Sequence, residues 1–334
     1  MEVSDRIPES ASARGSASGP RKAPGSARKE RRSLLYPGLI VVVIITQIPF
    51  LLTIYLSLQS WNIIRPDLGR RFVGLGNYTR EIFSAEFGTI LVQTLGLAAM
   101  SLALCSLIGL GLALLLNRDF FAKGLVQTLL VTPFFIMPTV TGLIWKNELF
   151  SPNFGLVTWF ARLVGLESFN PMAQYPLIMV STMVAWQWEP LFMLVLLAGL
   201  SAIPEEEKEA ARLDGCGRMG VFRHIELPHL LPYYRMVILL GSIFILQVFG
   251  EIYVGTAGGP GTSSMNLQYL TFQTGLVGWQ VGAASAIGVA TLVITRVATP
   301  MAEAAPTCQP TSPVWNVRYC RFIELVPGPP AVPT

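Results

Sequence analysis

The stretch Ser201–Pro232, SAIPEEEKEAARLDGCGRMGVFRHIELPHLLP, decides how the rest of the chain is read. It is the one long charged segment between otherwise apolar blocks. Pro204 suits the first position of a helix, where no backbone N–H is needed. Glu205, Glu206 and Glu207 follow in the first turn, where the helix dipole favours negative charge. Glu205 and Lys208, and Lys208 and Arg212, stand at helical spacing for side-chain pairing, worth about 0.2–0.5 kcal/mol for a favourable pair. Gly215 and Gly217 permit left-handed backbone and predict the end of that helix. A second short helical run, Arg218–His224, leads to Pro228, where the next hydrophobic block begins. The pattern predicts helix, glycine turn, helix: a knob projecting from a membrane toward a groove on a partner. An ordinary solvated loop between two spans needs no such spacing of small and charged residues.

Outward from this stretch the chain is apolar. Of 334 residues, 52% are hydrophobic and only 13% charged, with a mean hydropathy of +0.53. Soluble globular chains carry about 25% charged residues, so the composition defines an integral membrane protein. Six apolar blocks lie near the roughly 20 residues that cross a hydrocarbon core. They are 36–58, 90–116, 125–145, 176–200, 236–254 and 278–295. Backbone polar groups must be satisfied inside lipid, which makes helices the reading of such blocks and all-α the fold class. Residues 1–33, rich in Ser, Ala, Gly, Pro, Arg and Lys, cannot bury enough surface to fold and are predicted to be a disordered basic tail. The apolar run after them is too long for a signal peptide and is read as an uncleaved first span. The chain thus divides into that tail, a six-helix transmembrane domain over 34–297 carrying the loop 201–230, and a divergent, disordered tail over 298–334. That last segment is proline-rich and aperiodic; a divergent tail and a shifted reading frame near Val289–Thr295 give the same appearance.

Charge sets the orientation. With the N-terminus in the cytoplasm, six of the 24 lysines and arginines fall outside (Arg65, Arg70, Arg71, Arg80, Lys146 and Arg162) and the other eighteen inside. That agrees with the positive-inside tendency, and it puts Trp61, Trp145 and Trp279 at the outer boundary, as an aromatic belt requires. The loop 201–230 is then cytoplasmic.

Two blocks contain a carboxylate, Glu189 in AWQWEP and Glu251 in QVFGEIYVG. Such residues face a cavity or a helix bundle, because a buried charge is costly unless paired or hydrated. One reading is a water-lined path with Trp186, Gln187, Trp188, Glu189, Gln247, Glu251 and Tyr253 as lining. The other is structural hydrogen bonding between helices. Pro190 is expected to kink its helix. The outer loop Thr256–Ser264 is glycine-rich and reads as flexible. No GxxxxGK[ST] pattern occurs in the chain, so an energy source must be another polypeptide. The two histidines, His224 and His229, have no carboxylate–cysteine constellation beside them, so neither a metal site nor a bound cofactor is expected. Asn77-Tyr78-Thr79 is a formal glycosylation sequon, read as chance.

Within the loop, Glu209, Ala210 and Ala211 are followed by three residues and Gly215, then by nine more and Ile225, Leu227 and Pro228. This spacing, EAA-x3-G-x9-I-x-LP, resembles the cytoplasmic coupling loop of binding-protein-dependent ABC transporter permeases. The layout resembles their carbohydrate-uptake branch, first-permease type, over about Leu34–Ile294. The run GEIYVGTAGGPGTSSMNLQYLTFQTG further resembles the sorbitol and mannitol (polyol) transporters of that branch. The resemblance implies a type I ABC importer permease fold in the bacterial inner membrane. It implies a second permease as heterodimer partner, two ATPase subunits that use ATP, an extracytoplasmic binding protein and a sugar or polyol substrate. It gives Glu209, Ala210, Ala211, Asp214 and Gly215 the docking of the ATPase, and Ile225, Leu227 and Pro228 the bracing against the membrane domain. Nucleic acid has no place in this scheme, and membrane lipid surrounds it.

Two rival classes are weaker. An integral-membrane enzyme needs a carboxylate, histidine or metal cluster at one membrane face, and Glu189 and Glu251 sit at different depths. An ATP-independent secondary transporter typically shows internal repeats, and none is evident.

Overall fold

A computed structural model describes residues 36–165 and 170–303, with the side chains of 68 and 297–303 left aside. The two tails expected over 1–33 and beyond 303 lie outside the described residues. The described chain is helical apart from one two-stranded ribbon, β1 (Gln59–Ser60) with β2 (Arg71–Phe72), antiparallel.

The first block is helix α1 (Tyr36–Ser57), apolar and exposed along most of its length. After the short α2 (Gly76–Glu81) comes α3 (Ala85–Leu116), 32 residues begun by a Ser84 side-chain cap on the Phe87 N–H. The third block is not one helix. It is α4 (Lys123–Val131) with a 3-10 turn to Phe135, then α5 (Pro138–Ile144) with a π turn to Leu149, the two parts bent by 104°. Short helices α6 (Leu156–Leu163) and α7 (Pro171–Gln174) lead to α8 (Pro176–Ser201). Beyond the charged stretch, α11 (Leu227–Ile245) is followed by a break and then α12 (Gly250–Gly255), so the fifth block is also divided. Helices α13 (Leu267–Phe272) and α14 (Val281–Glu303) complete the described chain, and the last helix runs on past Thr295. Among the described residues four helices are long and apolar enough to cross a membrane, five if the bent pair counts as one span, with Val281–Arg296 a shorter apolar helix.

The core is the seam between α3 and α8. Ser101, Cys105, Gly109 and Ala113 recur every four residues on α3 and are all buried. Small residues at that spacing let two helix backbones approach where lipid supplies no hydrophobic drive. The Ser101 hydroxyl donates to the Ser181 carbonyl at 3.4 Å, and the Cys105 thiol points to the Ala185 carbonyl at 3.6 Å. A Cβ on Gly109 would lie 2.7 Å from Cβ of Phe192, and one on Gly241 of α11 would lie 2.7 Å from the tip of the same ring. Two glycines from different helices thus make the slot that holds Phe192, which is fully buried.

Both helix breaks free carbonyls that have no water to turn to. Gln187 of α8 donates its amide to the Ile136 carbonyl at 2.9 Å, closing the break before α5. Asn266 donates to the Val248 carbonyl and caps α13 by accepting from the Tyr269 N–H. Thr94 of α3 donates to the Ile90 carbonyl and accepts from the Leu267 N–H at 3.0 Å, tying α13 to the core. Gly142 on α5 and Gly250 on α12 let these short helices meet backbone to backbone.

The segments after α1 and before α14 come together: Ile63 N–H donates to the Trp279 carbonyl, and Arg70 stacks 3.8 Å over the Trp61 ring. Trp145, expected at a lipid boundary, is instead buried between Phe150 and Trp186, because the bend turns it into the protein. Asn77 is buried and donates to the Ser57 and Gln59 carbonyls, so its amide serves the fold and the sequon is structural. The loop Thr256–Ser264 is not a loose one. The hydroxyl of Ser264, fully buried, lies 2.8 Å from both Thr256 Oγ1 and the Gly259 carbonyl, with one proton to share between them.

Candidate functional site

The charged stretch folds as an elbow. Helix α9 (Glu205–Leu213) starts after Pro204, one residue later than the sequence places it. Its buried anchors are Ile203 and Lys208; Lys208 reaches Glu205 at 3.0 Å. Arg212 does not pair with Lys208, since both are cations. It turns to the other Glu205 oxygen at 3.5 Å, and one carboxylate serves both.

Gly215 ends the helix at φ +87°. The Cys216 N–H donates to the Ala211 carbonyl at 2.9 Å and the Gly215 N–H to the Arg212 carbonyl at 3.1 Å. This pair of bonds is the Schellman arrangement, which satisfies carbonyls that a helix end leaves free and needs a left-handed residue at that position. Space is not the reason for the glycine: a Cβ there meets nothing within 4 Å. Gly217 differs from its expected role. At φ −64° and ψ 167° it is extended and heads the next helix, α10 (Arg218–Val221).

The second helix does not stop before Pro228. From α10 the chain passes through a π turn, Phe222–Glu226, straight into α11, so Arg218–Ile245 is one helix of 28 residues. The Leu227 N–H bonds back five residues to Phe222 in that turn, which re-registers the ladder just where Pro228 lacks a donor. At 1.5 Å per residue this is a rod of roughly 40 Å. Ile225 packs against the buried cluster of Ala113, Leu196, Leu200, Ile203 and Leu230, and Leu227 and Pro228 are half-buried beside it. Tyr234 donates to the Ser106 carbonyl at 3.3 Å, linking the rod to α3.

On the outward side of α9, Glu206, Glu209, Ala210, Leu213 and Asp214 are exposed, while Ala211 is half-buried. Leu213, 89% exposed, and Met219, 73% exposed, are large apolar side chains with nothing of this chain over them. Large apolar side chains exposed side by side like this are the kind of surface that soluble monomers seldom leave uncovered.

The second set of candidates is spread over two elements. On α8, Trp186 lies edge-on to Trp145 at 5.7 Å, and Trp188 stacks on Phe244 at 4.6 Å. Gln187 is committed to Ile136, as above. Glu189 is 6% exposed, in the four-residue register of Ser181 and Ala185, and its Oε1 finds no hydrogen bond among the described residues. On the other element, Gln247 is exposed in the break and Glu251 is 1% exposed in α12. Tyr253 is 46% exposed, in a ring cluster with Phe249, Tyr269 and Phe272. Among the described residues no hydrogen bond or ion pair joins the α8 candidates to Gln247, Glu251 or Tyr253. Asn266 is the residue the sequence reading missed; only its place before a short apolar run marks it as a cap. Among the described residues no three His, Cys, Asp or Glu side chains group to hold a metal.

A bundle with several helices long and apolar enough to cross a membrane, and a charged elbow outside it, has the form of a membrane-domain subunit. The chain belongs to the family of binding-protein-dependent transport system inner membrane components, whose model matches residues 106–303. It is 31% identical over 253 residues to the probable ABC transporter permease protein y4oQ of Sinorhizobium fredii, covering 75% of this chain and 81% of that one. It is equally 31% identical over 265 residues to the trehalose/maltose transport system permease protein MalF of Thermococcus litoralis, covering 78% of this chain and 88% of the relative. Its fold resembles a bacterial ABC transporter that imports the acidic polysaccharide alginate. The TM-score is 0.69 at 22% identity, over 84% of this chain and 97% of that one.

Proposed function

We propose that this chain is one permease of a heterodimeric ABC importer for a sugar or polyol, with its N-terminus in the cytoplasm and ATP used by two partner ATPase subunits. The observation that carries the reading is the elbow: a glycine-capped helix with an exposed small and apolar face, continuous with a long span. Glu209, Ala210, Ala211, Asp214 and Gly215 form the docking end, and Ile225, Leu227 and Pro228 hold it to the bundle. Closure of the ATPase dimer pulls the elbow, and the rod beyond it rocks the spans to alternate access. An extracytoplasmic binding protein delivers the substrate. Trp186, Gln187, Glu189, Gln247, Glu251 and Tyr253 are proposed to line or shape the path.

A carbohydrate cargo is supported by the relatives named as trehalose/maltose and trehalose transport permeases. A polyol is the narrower candidate, and only the run 250–275 supports it. The orientation is supported by the distribution of basic residues.

The test is uptake by the assembled transporter in proteoliposomes. Uptake of a labelled disaccharide or polyol is expected to require internal ATP, the ATPase and the binding protein. Glu209→Lys is expected to leave membrane insertion intact while abolishing ATPase co-purification. Import driven by an ion gradient without the ATPase would sink the reading and favour a secondary transporter.

A further inference from the structure

A cleft of about 820 Å³ opens behind the elbow, between α9, α10 and the end of α3. Four cations line it, Arg118, Lys208, Arg212 and Arg218, against two carboxylates, Glu205 and Glu226. Both oxygens of Glu205 are occupied by Lys208 and Arg212. Arg118 and Arg218, one from each wall, have no ion-pair partner among the described residues. The rest of the lining is Asn117 with the apolar Leu114, Met219, Val221 and Phe222. Two unneutralised arginines over an apolar floor match a phosphate carried on, or lying against, a hydrophobic group.

We propose that this cleft binds a phosphate-bearing anion, from an anionic phospholipid headgroup or a soluble phosphate, that braces the elbow against α3. The proposal rests on the reading of α9 as the docking helix. Glu205, Lys208 and Arg212, at i, i+3 and i+7, face the cleft. Glu206, Ala210 and Leu213 are exposed on the neighbouring face, and Glu209, four residues from Glu205, is exposed at the border between the two. A ligand in the cleft and an ATPase on the docking face therefore occupy adjacent faces of the elbow, with Met219 at their border, and both can be present together. Filling the cleft stiffens the joint that the ATPase pulls on. In the proposed orientation it opens at the cytoplasmic leaflet, where anionic lipid is concentrated.

The assembled transporter would be placed in phosphatidylcholine liposomes with or without phosphatidylglycerol, and a parallel set given inorganic phosphate. Tightly retained phospholipid would be counted by native mass spectrometry, and ATPase activity followed. Wild type is expected to retain phosphatidylglycerol and to gain activity with it. The double variant R118Q/R218Q is expected to bind it at least about tenfold more weakly, given the strength of charge-assisted hydrogen bonds, while R118K/R218K restores most of the binding. Activation by inorganic phosphate alone, lost in R118Q/R218Q, would identify a soluble ligand and uphold the site. If neither probe distinguishes wild type from R118Q/R218Q, the site does not exist. Failure of the wild-type chain to hold an ATPase at all would instead strike the docking reading, which the same preparation reveals before any lipid is added.

Discussion

Gly215 offers the sharpest test of how the elbow is built. Its φ of +87° lies where L-residues with a side chain are disfavoured, while the space around its Cα is open. The cost of Gly215→Ala is therefore conformational, about 1–2 kcal/mol for a left-handed L-residue. That free energy shifts the population with the two Schellman bonds intact by about 5- to 30-fold. If the ATPase recognises only that form, its affinity falls by the same factor. Gly215→Val is expected to be worse, because a β-branched residue tolerates positive φ least. Gly215→Asn is expected to be mildest, since Asn visits the left-handed region readily. The assay is titration of the ATPase subunit onto the permease pair in nanodiscs, with folding checked by size-exclusion chromatography. The order Gly, Asn, Ala, Val is the expected order of affinity. If Asn proved as damaging as Val, contact with the partner rather than backbone geometry would be the reason for the glycine.

Three further outcomes follow from the same geometry. Gly109→Ala should destabilise the bundle by about 1–3 kcal/mol through overpacking against Phe192, seen as a lower thermal midpoint of the purified transporter; an unchanged midpoint would mean the seam is looser than described. Asn266→Ala frees the Val248 carbonyl and uncaps α13, costing about 1–3 kcal/mol; uptake should fall while ATPase binding persists, and loss of both would show that α13 and the elbow are not separable. Leu213→Cys, in a chain whose own cysteines are replaced, should react with an impermeant maleimide in inverted vesicles and not in intact cells. Labelling of intact cells would reverse the topology.

The elbow and the apolar blocks were legible in the residues themselves because their signals are local. Helix dipole, helical charge spacing and the left-handed need of Gly215 all act within about five residues, and long apolar runs have few conformations open to them in lipid. Local signals also misplaced details: Gly217 was read as left-handed but is extended, and Pro228 was read as a boundary but lies inside a continuous rod. Only the tertiary structure decided where the third and fifth blocks break, since a break is tolerable only where a distant side chain accepts the freed backbone. Gln187 meets Ile136 from 51 residues away, and Asn266 meets Val248 across 18. It also decided that Trp145 faces protein, that the stripe from Ser101 to Ala113 faces α8, and that four cations surround one cleft. A run of sequence fixes what a segment can form on its own; which of its groups find partners depends on three-dimensional neighbours that no window of the chain contains.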